Sequence, residues 1–190
     1  MAQTHSDVED VVALLKDQHQ QIREQFTRVE TASGQERRER FGELVRLLAV
    51  HETAEEEVVH PAARRAFDQG KQVVNHRLEE EREAKRLLRD LENMNPDEPE
   101  FMAMFRRLRD AVLAHADAEE RYEFEELRAH TEPKRLAMMA KAVRAAEATA
   151  PTHPHPGAEG AAKNMAMGPF ASVMDRTRDT VRKVMERRKG

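Results

Sequence analysis

Four long runs of this chain repeat apolar residues at intervals of three and four, the signature of helices with one buried face. In three of them the inward stripe is interrupted by His or Glu. On the first run the stripe reads Leu15, His19, Ile22, Phe26. On the second it reads Leu44, Leu48, His51, Glu55, Val58, Ala62. On the last it reads Leu108, Val112, His115, Glu119, Tyr122. Side chains four apart stack on one helix face, so each HxxxE pair directs an imidazole and a carboxylate at one point. A chain built this way has to fold as packed helices with a polar centre.

The helices are bounded by clear breakers. The first spans about 7–31 and ends at "TASGQE". The second spans about 35–68, with Pro61 expected to loosen or kink it, and stops at "FDQGK", where Gly70 suits a left-handed cap. The third spans about 72–92 and the fourth about 100–130, separated by "NMNPDEPE". A shorter fifth follows from Pro133 to about Ala148, with the proline suited to a first-turn position. Short loops make sequential helices antiparallel. The predicted fold is therefore all-α, an up-down-up-down four-helix bundle with a short fifth helix. There is no strand signal. The bundle is assigned to 1–148, a Pro/Gly/Ala linker to 149–168, and a basic amphipathic helix to 169–190, with Phe170, Val173, Met174, Thr177, Val181 and Val184 as its narrow apolar stripe.

Charged residues make up 36% of the 190 residues and aromatics 4%, a helix-favouring balance. With no Cys, disulfides and zinc–thiolate sites are excluded, so any metal is held by His and carboxylates. The net charge of −4 conceals an asymmetry: the segment from Lys163 onward carries +5 and the first 150 residues carry −8. An acidic body is unsuited to gripping nucleic acid, whose phosphates call for positive surface. The N-terminus lacks the basic and apolar regions of a signal peptide, and no run reaches the about 18 apolar residues of a membrane span. A cytoplasmic protein is expected. The basic terminal helix admits three placements: against the acidic body, on an anionic membrane surface, or on a partner protein. Its narrow stripe and the charge complementarity favour the first and last over membrane association.

A single buried His is commonly a hydrogen-bonded core residue, and one HxxxE means little in a chain this rich in Glu. Three helices aiming such groups inward are different. Burying unpaired carboxylates costs several kcal/mol each, and a shared cation removes that cost. Imidazole with carboxylate suits iron, manganese or zinc, and six or more ligands exceed one tetrahedral zinc, pointing to two metals. Facing helices carrying paired His and Glu are a usual way to hold two iron ions. The ten Met residues read as core filler, and His153 and His155 in "PTHPHPG" lack further ligands. There is no phosphate-binding glycine loop and no nucleophile elbow.

The segments "KDQHQQI", "HETAEEEVVHPA" and "LAHADAEERYEFEEL", taken in order, resemble the hemerythrin-like (HHE cation-binding) family over about 7–130, closest to its mycobacterial members. The resemblance implies an oxo- or hydroxo-bridged pair of iron ions held by His19, His51, Glu55, His115 and Glu119, with Glu55 and Glu119 bridging. It further implies that the ligands are dioxygen, peroxide or nitric oxide, bound or sensed, with a redox or regulatory protein as partner; catalase-, peroxidase- or oxidase-like turnover at the same metals is the alternative. Two departures stand out. The third helix of oxygen carriers offers HxxxH, whereas "NHRLEEEREAKRLLRDL" offers His76 near the helix start, read as a surface residue, followed by Glu80 or Glu81. Both apolar registers of this helix are open, and Glu80 is favoured. His60 stands where some mycobacterial relatives have Tyr, and it reaches the metals only if the helix deforms near Pro61. More carboxylate and less imidazole favours the ferric state and weakens the case for reversible oxygen carriage.

Overall fold

The computed structural model describes residues 10–149 and 169–186. His153, His155 and most of the expected linker lie outside the described residues, as do 7–9 and 187–190. The elements are α1 (Val11–Thr31), α2 (Gly34–Ala54), a π-helical turn π1 (Glu55–Val59), α3 (His60–Ala66), α4 (Gly70–Glu92), α5 (Pro99–Glu119), a second π-helical turn π2 (Glu120–Phe124), α6 (Glu125–Ala129), α7 (Pro133–Thr149) and α8 (Pro169–Glu186). Among the described residues there is no strand, and no helix is long and apolar enough to cross a membrane.

The helix starts follow from local chemistry. Asp10 caps α1, its Oδ1 accepting the Ala13 N–H at 2.8 Å. Pro99 and Pro61 occupy first-turn positions of α5 and α3, where a missing N–H costs least. The α1–α2 connection is tight because Gly34 takes φ +55°, a left-handed conformation that a side chain would disfavour. Gly70 plays a different part from the expected left-handed cap. Its φ is not positive, it opens α4, and a Cβ there would collide with the Ala63 carbonyl oxygen. Its role is close approach of α4 to α3.

α2, π1 and α3 form one long bent rod, as do α5, π2 and α6. These two, with α1 and α4, are the antiparallel bundle. Its core is split in two along the bundle axis. One apolar cluster gathers Ile22, Phe26, Phe41, Leu44, Leu88, Leu91, Phe101, Phe105 and Leu108. The other gathers Leu15, Val58, Val59, Val74, Phe124 and Leu127 with Met139 and Val143 of α7. Each long rod passes from one cluster to the other in alternating direction, which is the up-down-up-down arrangement. Between the clusters lies a polar layer.

The terminal basic helix packs back on the body. Val173, Met174 and Thr177 of α8 are buried, Val181 is 1% exposed, and α8 lies against α2 and α7. Arg178 Nε and Arg182 Nε reach Glu57 at 2.9 and 3.0 Å, and Arg178 Nη2 reaches Glu56 at 3.3 Å.

Candidate metal centre

The polar layer is made of residues that every rod carries at the same height. α1 supplies Gln18 and His19, α2 supplies His51 and Glu52, π1 supplies Glu55, α3 supplies His60, α4 supplies Glu81, α5 supplies His115 and Glu119, and π2 supplies Glu123; all are buried. The ligand-capable atoms of His19, His51, Glu55 and Glu119 lie within 4.8 Å of one another, and so do those of His60, Glu119 and Glu123. The two groups share Glu119.

Two π-helical turns explain this convergence. A π turn spends five residues on the rotation that an α turn makes in about four, and such turns concentrate at functional sites. In π1 the His60 N–H donates to the Glu55 carbonyl, five residues back. That i to i+5 step carries His60 onto the face of His51 and Glu55. The expected deformation near Pro61 thus takes the form of a π turn ahead of the proline. In π2 the same extra residue moves the inward position from Tyr122 to Glu123. Tyr122, expected on the inward stripe, is 54% exposed, while Glu123 is fully buried. Glu123 is an inward acid that the sequence reading does not single out. The run His115, Glu119, Glu123 repeats every fourth residue, and that repeat is the signal that points to it.

Three of the four imidazoles in the layer are oriented by a hydrogen bond through the outer nitrogen. His19 Nδ1 donates to Glu120 Oε1 at 2.8 Å, His51 Nδ1 to Gln18 Oε1 at 2.7 Å, and His115 Nδ1 to Glu80 Oε2 at 2.9 Å. Gln18 is fixed in turn by donating to Glu147 Oε1 of α7 at 2.6 Å. With Nδ1 carrying the proton, Nε2 keeps its lone pair and faces the centre, the arrangement that outer partners impose on metal-ligating histidines. His51 Nε2 lies 3.2 Å from Glu55 Oε1, His115 Nε2 3.3 Å from Glu119 Oε1, and His19 Nε2 3.4 Å from Glu119 Oε2.

Glu80, favoured from the sequence as the inward acid of the third helix, stands at the rim with a side chain 41% exposed, held by Arg77 and His115. Glu81 faces inward instead, because the buried register of α4 runs Val74, Arg77, Glu81, Ala84, Leu88, Leu91. Its Oε1 accepts from His60 Nε2 at 2.7 Å, while His60 Nδ1 donates to Glu123 Oε1 at 2.8 Å. His76 is exposed.

The electrostatics are those of acids and imidazoles crowded into a buried layer. Burial, then the neighbouring Glu119, pushes the Glu55 carboxyl well above its usual range. Burial and Glu81 push Glu52 up to about 7. Burial, then His19, holds the His51 imidazole well below its usual value. Burial also opposes charge on His60, but its hydrogen bonds to Glu123 and Glu81 outweigh this and push it up to about 10. For Glu81 burial is again outweighed, here by His60 and Lys85, and it falls to about 2.

Both oxygens of Glu55, both of Glu119, Glu123 Oε2, His19 Nε2 and His115 Nε2 are buried with no hydrogen-bond partner. So many orphaned acceptors at one point would be costly in a finished core. Their types, imidazole nitrogen and carboxylate oxygen, fit a borderline or hard divalent cation.

Three comparisons bear on this site. The family model described as Hemerythrin HHE cation binding domain matches residues 10–127, more than half of the chain. A curated "DNA nickase" from Nostoc sp. (strain PCC 7120 / SAG 25.82 / UTEX 2576) is 28% identical over 142 residues, covering 74% of this chain and 39% of the relative. The chain therefore spans about two-fifths of that relative's length. The crystal structure of a hemerythrin HHE cation binding domain-containing protein from Mycobacterium kansasii matches with a TM-score of 0.66 at 20% identity, covering 89% of this chain and 99% of that one. At that identity the likeness speaks to the fold.

Proposed function

The chain belongs to the hemerythrin HHE cation binding domain family, and on that premise we propose that it holds two iron ions and binds or senses dioxygen, peroxide or nitric oxide at them. The observation that carries this reading is the pair of ligand groups sharing Glu119, ringed by buried acceptors without partners. His19, His51, Glu55 and Glu119 would hold one ion, and His60, on giving up one of its two ring protons, would hold the other with Glu119 and Glu123. His115 Nε2, beside Glu119, completes the set.

An iron pair supplies two electrons and open positions for a small ligand. The protein's part is to orient and exclude. Gln18, Glu120 and Glu80 fix three rings with Nε2 inward, and the apolar clusters on either side keep water out. Phe124 stacks on the His19 ring at 5.5 Å between centroids, closing that side. A nucleic-acid role is not part of the reading, since the first 150 residues carry a net −8.

The carboxylate-rich composition favours a second reading at the same residues, catalase-, peroxidase- or oxidase-like turnover. Glu81 stands inward on α4, where the resemblance to oxygen carriers would call for an imidazole, Glu123 adds a further inward acid, and anionic ligands stabilise ferric iron. Rapid mixing of the ferrous protein with dioxygen, nitric oxide or peroxide separates the two. A persistent new absorption band with dioxygen or nitric oxide is the expected outcome for binding or sensing. Sustained gas evolution from peroxide would favour turnover, and no response to any of the three would contradict both.

A further inference from the structure

Outside the ligand groups, the layer contains one cation that the proposed metal chemistry does not use. Lys85 of α4 extends between α4 and α2 with its side chain 19% exposed. Its Nζ donates to Glu81 Oε2 at 2.7 Å and to Glu56 Oε1 at 2.6 Å, and lies 3.2 Å from Glu52 Oε2. Two of its three donors are used by hydrogen bonds to Glu81 and Glu56, and Glu52 Oε2, which has no hydrogen-bond partner of its own, stands within ion-pair distance. Glu56 is also neutralised from outside by Arg178 of α8. The charge of Lys85 is therefore available chiefly to Glu52 and Glu81, both buried.

A count of the buried charges gives this position meaning. Among the described residues the buried acids are five: Glu52, Glu55, Glu81, Glu119 and Glu123. Arg77, the one buried arginine among them, is paired with the rim carboxylate of Glu80 at 2.9 Å. Ligation requires neutral imidazoles, so metal binding displaces the extra proton that His60 holds between Glu81 and Glu123. Two divalent ions then offset four of the five negative charges. One is left over, and an uncompensated charge in a dry core is expensive.

We propose that Lys85 is a counter-charge built into the centre, balancing the fifth buried carboxylate so that the layer is neutral with two divalent ions bound. This rests on the two-ion reading and deepens it: the lysine sets the charge of the centre, and through that charge the reduction potential of the metals, without being a ligand. Glu52 is its matching anion, buried and outside both ligand groups. Removing a positive charge near the ions favours their more oxidised form, and removing a negative charge favours the reduced form.

The test is the reduction midpoint of iron-loaded protein, followed optically, with iron content measured on the same samples. Lys85→Met is expected to shift the midpoint to lower potential, Glu52→Gln to raise it, and the double variant to return it toward wild type. Lys85→Arg, which keeps the charge, should stay near the wild-type value. A lysine that only packs or props the helices would not produce opposite shifts that cancel in the double variant. Should Lys85→Met fail to fold, Glu52→Gln and the double variant still read the sign. Unchanged midpoints in iron-replete Lys85→Met and Glu52→Gln would overturn the counter-charge alone. A wild-type protein that takes up no iron would overturn the two-ion reading beneath it.

Discussion

An imidazole has two nitrogens, and this centre separates their duties. In His19, His51 and His115 the outer one donates to a fixed acceptor and the inner one is left with a lone pair. Gln18 is the most telling acceptor because it is neutral, buried and itself anchored by Glu147. Gln18→Leu should leave His51 free to take the wrong tautomer and weaken metal binding by about 10- to 100-fold, measured by competition against a chelator. Glu119→Ala should cost both ions, since both groups use it, and lower the melting temperature along with iron content. Inward placement of His19, His51, Glu55, His115 and Glu119 was legible in the sequence, because apolar neighbours three and four residues away fix the facing of each. Gln18, Glu120 and Glu147 were not, because their roles arise from neighbours on other helices, which periodicity within one helix does not encode.

At the level of elements, the two π turns decide which residues look inward. Regular α periodicity selected Tyr122 and left His60 dependent on a deformation, since each residue of an α-helix advances about 100°. One extra residue in each turn explains both differences; nothing in "EEEVV" announces it, and for "ERYEF" the only signal is the four-residue repeat of His115, Glu119 and Glu123. The turns also make a contrast of deletions informative. Removing Glu57 should convert π1 into an ordinary α turn and keep Glu55 and His60 on one face, so the protein should fold and retain metal. It would lose only the Arg178 and Arg182 pairs, which are partly solvated and worth little. Removing Arg46 from the regular part of α2 should rotate one half of that helix against the other and abolish the centre. Circular dichroism and iron content distinguish the two. At the start of α1, burial opposes ionisation of Asp10, but Arg128 and the Ala13 N–H outweigh it and hold the carboxyl below its usual value. Its contribution is thus present above the ordinary carboxylate range and lost as pH falls through the lowered value. Asp10→Ala should cost about 1 kcal/mol at neutral pH by urea unfolding, and less in acid.

Over the whole molecule, an acidic body is closed by its own basic helix. The long antiparallel rods and the charge asymmetry could be read from the chain directly, because both are properties of long stretches. The seating of α8 on α2 and α7, beside π1, depends on surfaces that exist only once the bundle has formed. Its apolar row should matter more than its charges. Val181→Asp, placing a charge at a position 1% exposed, should destabilise by about 2–4 kcal/mol. Arg178→Ala with Arg182→Ala should cost far less than Val181→Asp, with the difference shrinking at high salt.

The central claim is that the buried acids and imidazoles are tolerable together because two metal ions sit among them. Elemental analysis of protein loaded anaerobically with ferrous iron and freed of excess tests it most directly, with Glu119→Ala loaded in parallel. Two irons per wild-type chain and near-complete loss in Glu119→Ala are the predicted result; a wild-type chain that remains folded and holds none, or a Glu119→Ala variant that holds as many, would contradict it.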